Sequence, residues 1–176
     1  FTMATQGDSI DYGDLTGTYG YTSATSSSTR GLTLGAYHHP SPSAPADIID
    51  YYEIATLGDA KDFGDLPNAT YSMGAFSSPV RGICFGGSPS TANERITSVK
   101  FASLGSAIDF GNCSQRGSAR GSSNSVRGIL FIPGPSPYTT TIDSVQIASD
   151  GNSTRFGEMS LGRQDGCSFG NHTRAC

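Results

Sequence analysis

The fold is decided by Ala55-Thr56-Leu57-Gly58-Asp59-Ala60-Lys61-Asp62-Phe63-Gly64-Asp65-Leu66, because the chain repeats this stretch. A close copy lies at 4–15, and looser copies lie at 102–113 and 148–159. Its first glycine recurs after 51, 47 and 46 residues, as Gly7, Gly58, Gly105 and Gly151. An arginine recurs after 51, 46 and 47 residues, as Arg30, Arg81, Arg127 and Arg174. Two independent markers thus give one period, and a period of this size is typical of solenoids, propellers and arrays.

The period divides residues 1–176 into a single repeat domain with four units, about 1–51, 52–98, 99–144 and an incomplete 145–176. The chain has 23 Gly, 9 Pro and only 15% charged residues, and it contains no long run of helix-favouring residues. This composition favours short strands joined by Gly/Ser turns. Because the units of a repeat protein share one core, we expect no unit to fold alone.

The second unit gives the clearest strand pattern. Residues 49–56 are rich in β-branched and aromatic residues and predict a strand that turns at Gly58. Residues 71–76 predict a further strand, 77–79 a hairpin turn, and 81–87 a strand that ends at a glycine pair. Together with the segment after Gly58, these make four short strands in one unit. Such a unit is typical of a propeller blade, so the sequence predicts an all-β fold.

Two side chains recur with the period. The aromatic ring of Phe63 recurs as Tyr12, Phe110 and Phe156, and we expect these rings to lie buried between neighbouring units. The repeated arginine has two interpretations. It could bind an acidic sugar or carboxylate bidentately, or form pairs between units of the Asp62–Arg81 type that fix their orientation.

The pattern resembles kelch repeats, in which a strand ends in a glycine pair, the next carries a tyrosine, and a tryptophan follows a short loop. Gly86-Gly87, Tyr51-Tyr52 and Phe63 occupy these places here, with phenylalanine in the place of the tryptophan. This resemblance implies a kelch-like β-propeller of four blades.

A second resemblance covers essentially the whole chain. Ile49-Asp50-Tyr51, Asp62-Phe63-Gly64-Asp65-Leu66 and Arg81-Gly82 are similar to tandem repeats of virion structural and tail-fibre-like proteins of marine phages, especially cyanophages. It implies a structural or host-recognition role and no chemical reaction. It also implies location at a virion surface.

Charge and motifs argue against several classes of function. The net charge is −4 and the basic residues are scattered, so we expect no nucleic-acid partner. No apolar run reaches the roughly 18 residues that a membrane-spanning helix needs. The sequence contains no nucleophile elbow, phosphate-binding loop or metalloprotease helix, which predicts a protein that is not an enzyme and holds no cofactor.

The cysteines and sequons bear on the compartment. Cys167 and Cys176 flank a hairpin signal at 170–173 and would face each other in an antiparallel register centred on Asn171 and His172, so they are candidates for a disulfide. Cys84 and Cys113 are further candidates, and the alternative is four free thiols. Four asparagines lie in N-x-S/T sequons and are candidate N-glycosylation sites: Asn68, Asn112, Asn152 and Asn171. Disulfides and glycans together would predict an extracellular protein.

Two further groups are candidate metal ligands. Asp59, Asp62 and Asp65 recur every third residue near a turn and could contribute oxygens to a calcium site, or could stabilise the turn. The pair His38-His39 could bind a transition metal. A Pro/Ser-rich surface insertion is the alternative for that pair, and we predict no metal site.

The repeats are cut out of phase, because Phe1 aligns with Tyr52 while Cys176 aligns with Ile83. This predicts an open β edge, closed either by pairing of the two chain ends or by a neighbouring chain in an array. We therefore expect a self-associating, non-enzymatic module, a fibre component that recognises a host surface or glycan. The alternatives are a secreted N-glycosylated matrix or filament protein and, as a second alternative, a sugar-active propeller enzyme.

Overall fold

The computed structural model describes residues 7–39, 43–89, 94–115, 117–134, 136–163 and 166–176. Over these residues the protein is all-β, as predicted, with three antiparallel sheets and no helix. Sheet 1 contains β1 (Tyr19–Gly20), β2 (Ser23–Ser26), β3 (Arg30–His38), β4 (Pro45–Glu53) and β5 (Lys61–Asp65). Sheet 2 contains β6 (Gly74–Ser77), β7 (Arg81–Phe85), β8 (Arg95–Lys100) and β9 (Ile108–Asn112). Sheet 3 contains β10 (Arg120–Ser123), β11 (Arg127–Phe131), β12 (Thr141–Gln146) and β13 (Thr154–Glu158).

Each sheet is built on a meander that begins with a hairpin fixed by one short polar side chain. Ser27 Oγ accepts hydrogen bonds from the amides two and three residues later, at 3.2 and 3.0 Å. Ser78 and Asn124 do the same in sheets 2 and 3. Asn171 caps one more such turn near the end of the chain. Because these side chains replace missing backbone partners, they set the hairpin just before each repeated arginine.

The repeated aromatic residue lies at a β-bulge. In sheet 1, Asp50 pairs with Asp62 and Ile49 pairs with Gly64, so Phe63 is the extra residue. The same register shift occurs around Phe110 in sheet 2 and Phe156 in sheet 3. A bulge bends its strand and redirects the side chain. It thus turns the ring of Phe63, and that of Phe110, towards the following sheet.

The predicted burial of these rings is confirmed for two of them and wrong for a third. Phe63 and Phe110 are each 3% exposed, whereas Phe156 is 55% exposed. Tyr12 is half-buried and meets Tyr52 edge to face, with ring centroids 6.3 Å apart. The difference at Phe156 arises because no described residues of a further sheet cover that side of sheet 3.

Two apolar cores fill the spaces between the sheets. The first joins sheets 1 and 2 and includes Leu32, Leu34, Ile49, Phe63, Cys84, Val99 and Phe101. The second joins sheets 2 and 3 and includes Phe76, Ile83, Phe85, Ile96, Phe110, Leu130, Val145 and Ile147. Sheet 2 therefore buries apolar side chains on both of its faces, and the repeats share their cores as the sequence predicted.

Several predicted boundaries shift. The strand expected at 49–56 runs over Pro45–Glu53, and the strand expected at 71–76 starts only at Gly74. Before Gly74, Ser72 has a positive φ of 54°, which interrupts an extended strand. Sheet 1 extends from 19 to 65 and so crosses the boundary placed near residue 51 in the sequence.

Candidate functional site

An open cavity of about 400 Å³ is lined by the first strands of the sheets and by the chain after sheet 3, at residues 21–24, 72–75, 120–121 and 166–168. Hydrogen bonds tie these strands together in sequence. Ser77 Oγ donates to the carbonyl of Ser26 at 2.7 Å, and Ser123 Oγ donates to the carbonyl of Ser77 at 2.7 Å. Ser168 Oγ donates to the carbonyl of Gly121 at 2.7 Å, which adds the chain after sheet 3 to the same wall. All of these segments therefore line the same open cavity.

An aromatic cluster includes the cavity residue Tyr21, and we call it the tyrosine–histidine cluster: Tyr21, Tyr37, His39 and Tyr71. The ring centroids of Tyr37 and Tyr71 are 5.1 Å apart, and those of Tyr21 and Tyr71 are 5.9 Å apart. Tyr21 is itself a residue of the cavity wall and is 64% exposed. The cluster thus presents ring surface and phenol groups to solvent beside the cavity.

Tyr21 is held in a backbone conformation that a side chain seldom adopts. Its φ is 57°, in the left-handed region, where a residue with a Cβ costs about 1–2 kcal/mol. The amide of Ser72 donates to the carbonyl of Tyr21 at 2.8 Å, and Ser72 also has a positive φ. Ser72 is the equivalent residue of the next unit and has nearly the same φ, so this conformation belongs to the repeated scaffold. What distinguishes position 21 is its exposed aromatic ring.

Only one residue of the histidine pair, His39, belongs to this cluster. The amide of His39 donates to the carbonyl of Thr18 at 3.2 Å, and the His39 ring is 5.2 Å from that of Tyr37. His38 ends β3 and points to the opposite face from Tyr37, where its ring centroid is 4.9 Å from that of Tyr19. The sequence placed the pair in a surface insertion. That interpretation missed that His39 packs against the tyrosine rings.

The repeated arginines hold neighbouring sheets together. Arg30 Nη1 donates to the carbonyl of Phe101 at 2.7 Å, and Arg81 Nη1 donates to that of Ile147 at 3.3 Å. Arg81 also pairs with Asp150 at 2.7 Å, so the expected Asp62–Arg81 pair is wrong in its acidic partner. The loop that follows the third strand of the next sheet provides the acceptors. A fourth arginine, Arg174, follows the turn at 171–173.

The acidic triplet does not form a metal centre in the described parts of the chain, where no group of three or more His, Cys, Asp or Glu side chains is placed to hold an ion. Asp59 Oδ1 instead accepts a hydrogen bond from the amide of Asp14 at 3.0 Å. Asp62 and Asp65 are exposed on β5. The triplet thus contributes one side chain to a contact between repeats.

All four cysteines are free thiols, and neither candidate disulfide is formed. The hairpin register expected around Asn171 is wrong by two residues, because the backbone of Cys176 pairs with Phe169 and not with Cys167. Cys84 and Cys113 are buried at separate contacts, with Cys84 Sγ 2.9 Å from Thr97 Oγ1 and Cys113 Sγ 3.0 Å from the Glu94 carbonyl. The sequon asparagines are all exposed: Asn68, Asn112, Asn152 and Asn171.

Two buried carboxylates were not anticipated from the sequence. Asp50 is 2% exposed and Asp143 is 1% exposed. Thr16 Oγ1 donates to Asp50 Oδ2 at 2.7 Å, and Ser153 Oγ donates to Asp143 Oδ2 at 2.6 Å. Both carboxylates lie between repeats and contribute to packing of the sheets.

Comparison with known proteins gives no family for this chain: no protein-family model matches it, and no curated protein is significantly similar to it. The geometry alone must therefore indicate the function.

Proposed function

We propose that this protein is a non-enzymatic structural module, an open array of four kelch-like units that a neighbouring chain completes, and that it forms part of an extracellular or virion-surface fibre. We further propose that it recognises a glycan on a host surface through the tyrosine–histidine cluster. The single observation that carries the recognition role is the exposed ring of Tyr21, which lines the cavity and contacts the rings of Tyr37, Tyr71 and His39.

The use of the repeated side chains supports the structural half of this proposal. Arg30 and Arg81 hold the next sheet through its backbone, Phe63 and Phe110 fill the cores, and Asp59 binds the preceding copy. In a protein selected for a repeated scaffold, the recurrent residues stabilise the contacts between units. Residues that differ between units are then available for recognition, and Tyr21 aligns with Ser72 in the second unit.

The chemistry of the cavity mouth supports a glycan as ligand. Tyr21, Tyr37 and Tyr71 combine flat apolar rings with phenol hydroxyls, and Thr22 and Ser23 add hydroxyls on the cavity wall. Sites that bind small ligands combine aromatic surface with a few polar groups that fix orientation. A sugar ring matches this lining, since it has an apolar face and a polar rim.

A glycan array tests the recognition role. Wild-type protein should bind a restricted set of glycans, and Tyr21→Gly and Tyr71→Ala should each weaken binding about tenfold or more, as expected for central aromatic contacts. Phe169→Ala is the control, because Phe169 is 68% exposed and lies outside the cluster. Folded wild-type protein that binds no glycan would overturn the glycan role. Equal binding by the tyrosine variants would place the site elsewhere.

A second candidate is a secreted, N-glycosylated filament protein, favoured by the exposure of all four sequon asparagines. Intact mass spectrometry of the protein isolated from its natural source, with and without enzymatic removal of N-glycans, separates the candidates. A mass loss on deglycosylation favours this alternative. An unchanged mass favours the virion module.

A further inference from the structure

The backbone contact between successive repeats has one register, which occurs three times. The carbonyls of Tyr12 and Asp14 accept from the amides of Gly58 and Ala60, both at 2.8 Å. In the next contact, the carbonyls of Phe63 and Asp65 accept from the amides of Gly105 and Ala107, again at 2.8 Å. The carbonyls of Phe110 and Asn112 accept from the amides of Gly151 and Ser153, at 2.7 and 2.8 Å.

A side chain reinforces each of these contacts. The residue after the donating glycine accepts a hydrogen bond from the amide of the opposite strand: Asp59 from Asp14, Ser106 from Asp65, and Asn152 from Asn112, at 3.0, 3.2 and 2.9 Å. The same sequence pattern stands at Gly7-Asp8-Ser9. In the described residues, its amides make no backbone hydrogen bond of this kind.

The last strand of sheet 3 has the complementary half of the contact without its partner. A Cβ added at Gly64 or Gly111 would lie 2.6 or 2.4 Å from the backbone of the next repeat. Glycine is needed there because the two chains approach so closely. Gly157 occupies the equivalent position in sheet 3, and a Cβ added there would meet nothing within 4 Å. The glycine is present, but the backbone that requires it is not in place.

The apolar face of sheet 3 is uncovered in the same way. Ile83, Phe85, Ile96 and Phe110 of sheet 2 are each at most 3% exposed beneath sheet 3. Their equivalents in sheet 3 are Ile129, Phe131, Ile142 and Phe156, and these four line a groove of about 210 Å³ beside the 171–175 hairpin. Phe156 is 55% exposed. The groove thus lies at the position where sheets 1 and 2 each pack against the sheet that follows them.

In sheet 1, a position that is buried in sheets 2 and 3 is exposed. Phe101 and Ile147, which follow the third strands of sheets 2 and 3, are 4% and 1% exposed, and their carbonyls accept from the arginine of the preceding sheet. Ile54 has the equivalent position in sheet 1 and is 46% exposed. The arginine of sheet 3, Arg127, lies over the ring of Phe156 at 6.0 Å, and no hydrogen bond from its guanidinium to a carbonyl is found among the described residues.

The charges of the two surfaces are also complementary. Residues 7–16 carry three carboxylates, Asp8, Asp11 and Asp14, and no basic side chain. Arg127 and Arg155 flank Phe156 on the other surface. Arg155 stands where the other copies have aspartate and pairs with Glu158, whereas no ion pair of Arg127 is found in the described parts of the chain. Opposite charges of this kind guide association and fix its register.

We propose that the uncovered face of sheet 3 binds residues 7–9 of a second copy of this chain, in the register of the three existing contacts. The amides of Gly7 and Ser9 would then donate to the carbonyls of Phe156 and Glu158, and Asp8 would accept from the amide of Glu158. Such a head-to-tail contact joins two different surfaces, so it continues from copy to copy as a filament. The inference rests on the structural half of the proposed function and identifies its partner.

Sedimentation velocity over a wide concentration range tests the contact. Wild-type protein should form dimers and longer species as concentration rises, and salt should weaken them. Gly157→Val should abolish association by filling the space that the partner backbone needs. Ser9→Pro should abolish it by removing the donor at the other surface. Ser9→Ala is the matched control, because it keeps the amide and should associate as the wild type does.

A mixture of the two blocked variants gives the sharpest result. Gly157→Val retains an intact residue 7–9 surface and Ser9→Pro retains an intact sheet 3 face, so mixing them should give a one-to-one dimer and nothing larger. A wild-type chain that stays monomeric, or variants that assemble normally, would overturn the proposal. The Gly157→Val/Ser9→Pro double variant should still bind glycans, so failure of assembly and failure of recognition give different results.

Discussion

Ser114 donates two hydrogen bonds to Oδ2 of Asp143, from its amide at 3.0 Å and from its hydroxyl at 2.5 Å. Ser114 directly follows one copy of the repeated segment, and Asp143 lies in the third strand of the next sheet. Thr16 and Asp50 form the same relationship two repeats earlier. Where the chain has Thr97 in place of the aspartate, it has Pro67 in place of the hydroxyl residue. The acceptor and its donor thus change together.

Loss of the Asp143 carboxylate should destabilise the fold. Asp143→Ala leaves the amide of Ser114 and two hydroxyls without their acceptor, while it removes Oδ1, which has no hydrogen-bond partner among the described residues. The net loss should be about 2 kcal/mol in the free energy of unfolding. Urea denaturation measures it. The control is Asp109→Ala, an exposed aspartate in β9, which should change stability by less than about 0.5 kcal/mol.

Two equivalent glycines should differ strongly in their tolerance of a methyl group. Gly111 has a φ of 152°, and its added Cβ would lie 2.4 Å from the carbonyl oxygen of Gly151. Gly111→Ala should therefore cost roughly 3 kcal/mol, because two packed backbones must separate. Gly157→Ala should leave the thermal midpoint of the isolated chain nearly unchanged, since that position faces open space. Similar losses in both variants would mean that the backbone bulge, and not the close approach, requires glycine.

Arg81 should contribute more to the free energy of unfolding than Arg155, which also forms an ion pair. Its side chain is 17% exposed and bonds both Asp150 and the carbonyl of Ile147, so Arg81→Ala should cost about 1.5 kcal/mol. Arg155 pairs with Glu158 at the surface, where its side chain is 59% exposed. Arg155→Ala should cost less than about 0.5 kcal/mol. Thermal unfolding of both variants measures the two losses. A larger loss in Arg155→Ala than in Arg81→Ala would contradict the prediction.

The sequence predicts the all-β class and most strands because the repeats carry local signals. β-Branched and aromatic residues mark β4, a glycine pair marks the end of β7, and the recurrent glycine marks the close approach of backbones. The tyrosine–histidine cluster was missed because Tyr21 does not recur at the period; its equivalent is Ser72. Its rings meet only when the hairpin after β3 and the bridge at Tyr71 are placed together.

Two errors have local physical causes. The register of the last hairpin was misplaced because Asn171 caps its own turn and so moves the turn to 171–174. The buried Asp50 and Asp143 look like ordinary solvent-facing residues of a strand. Their burial could be inferred only from the hydroxyl residue that follows the preceding copy of the repeated segment and donates to the carboxylate. The hydrophobicity of a single residue does not reveal such a donor.

The cysteines should fall into two reactivity classes. Burial raises the pKa of Cys84 to about 11, and burial, with smaller contributions from Asp143 and Glu94, raises that of Cys113 to about 12. Cys167 and Cys176 are exposed. At mildly alkaline pH, a thiol reagent should modify two cysteines quickly and the other two only after denaturation. Fast modification of all four would contradict the buried positions.

The same pKa values fix a pH dependence of stability. Both thiols keep their protons in the folded state above their ordinary pKa of 9.0, at which the unfolded chain loses them. The unfolded state therefore binds fewer protons, and stability should fall as pH rises from about 9 towards 11 and 12. Urea midpoints over this range measure the fall, and Cys84→Ala should reduce its slope. An unchanged slope would mean that other groups dominate the alkaline transition.

Tyr21→Gly should make the isolated protein more stable while it removes part of the proposed glycan site. Glycine adopts a φ of 57° without the penalty that a Cβ causes, so relief of strain should add up to about 1 kcal/mol. The lost ring contacts with Tyr37 and Tyr71 oppose this gain only partly, because Tyr21 is 64% exposed. Tyr21→Ala is the matched control: it loses the same ring but keeps the strained Cβ, so it should be less stable than Tyr21→Gly. Calorimetric midpoints of the two variants measure the difference. Equal midpoints would show that the conformation of residue 21 relaxes once the ring is gone, and that the fold does not hold Tyr21 under strain.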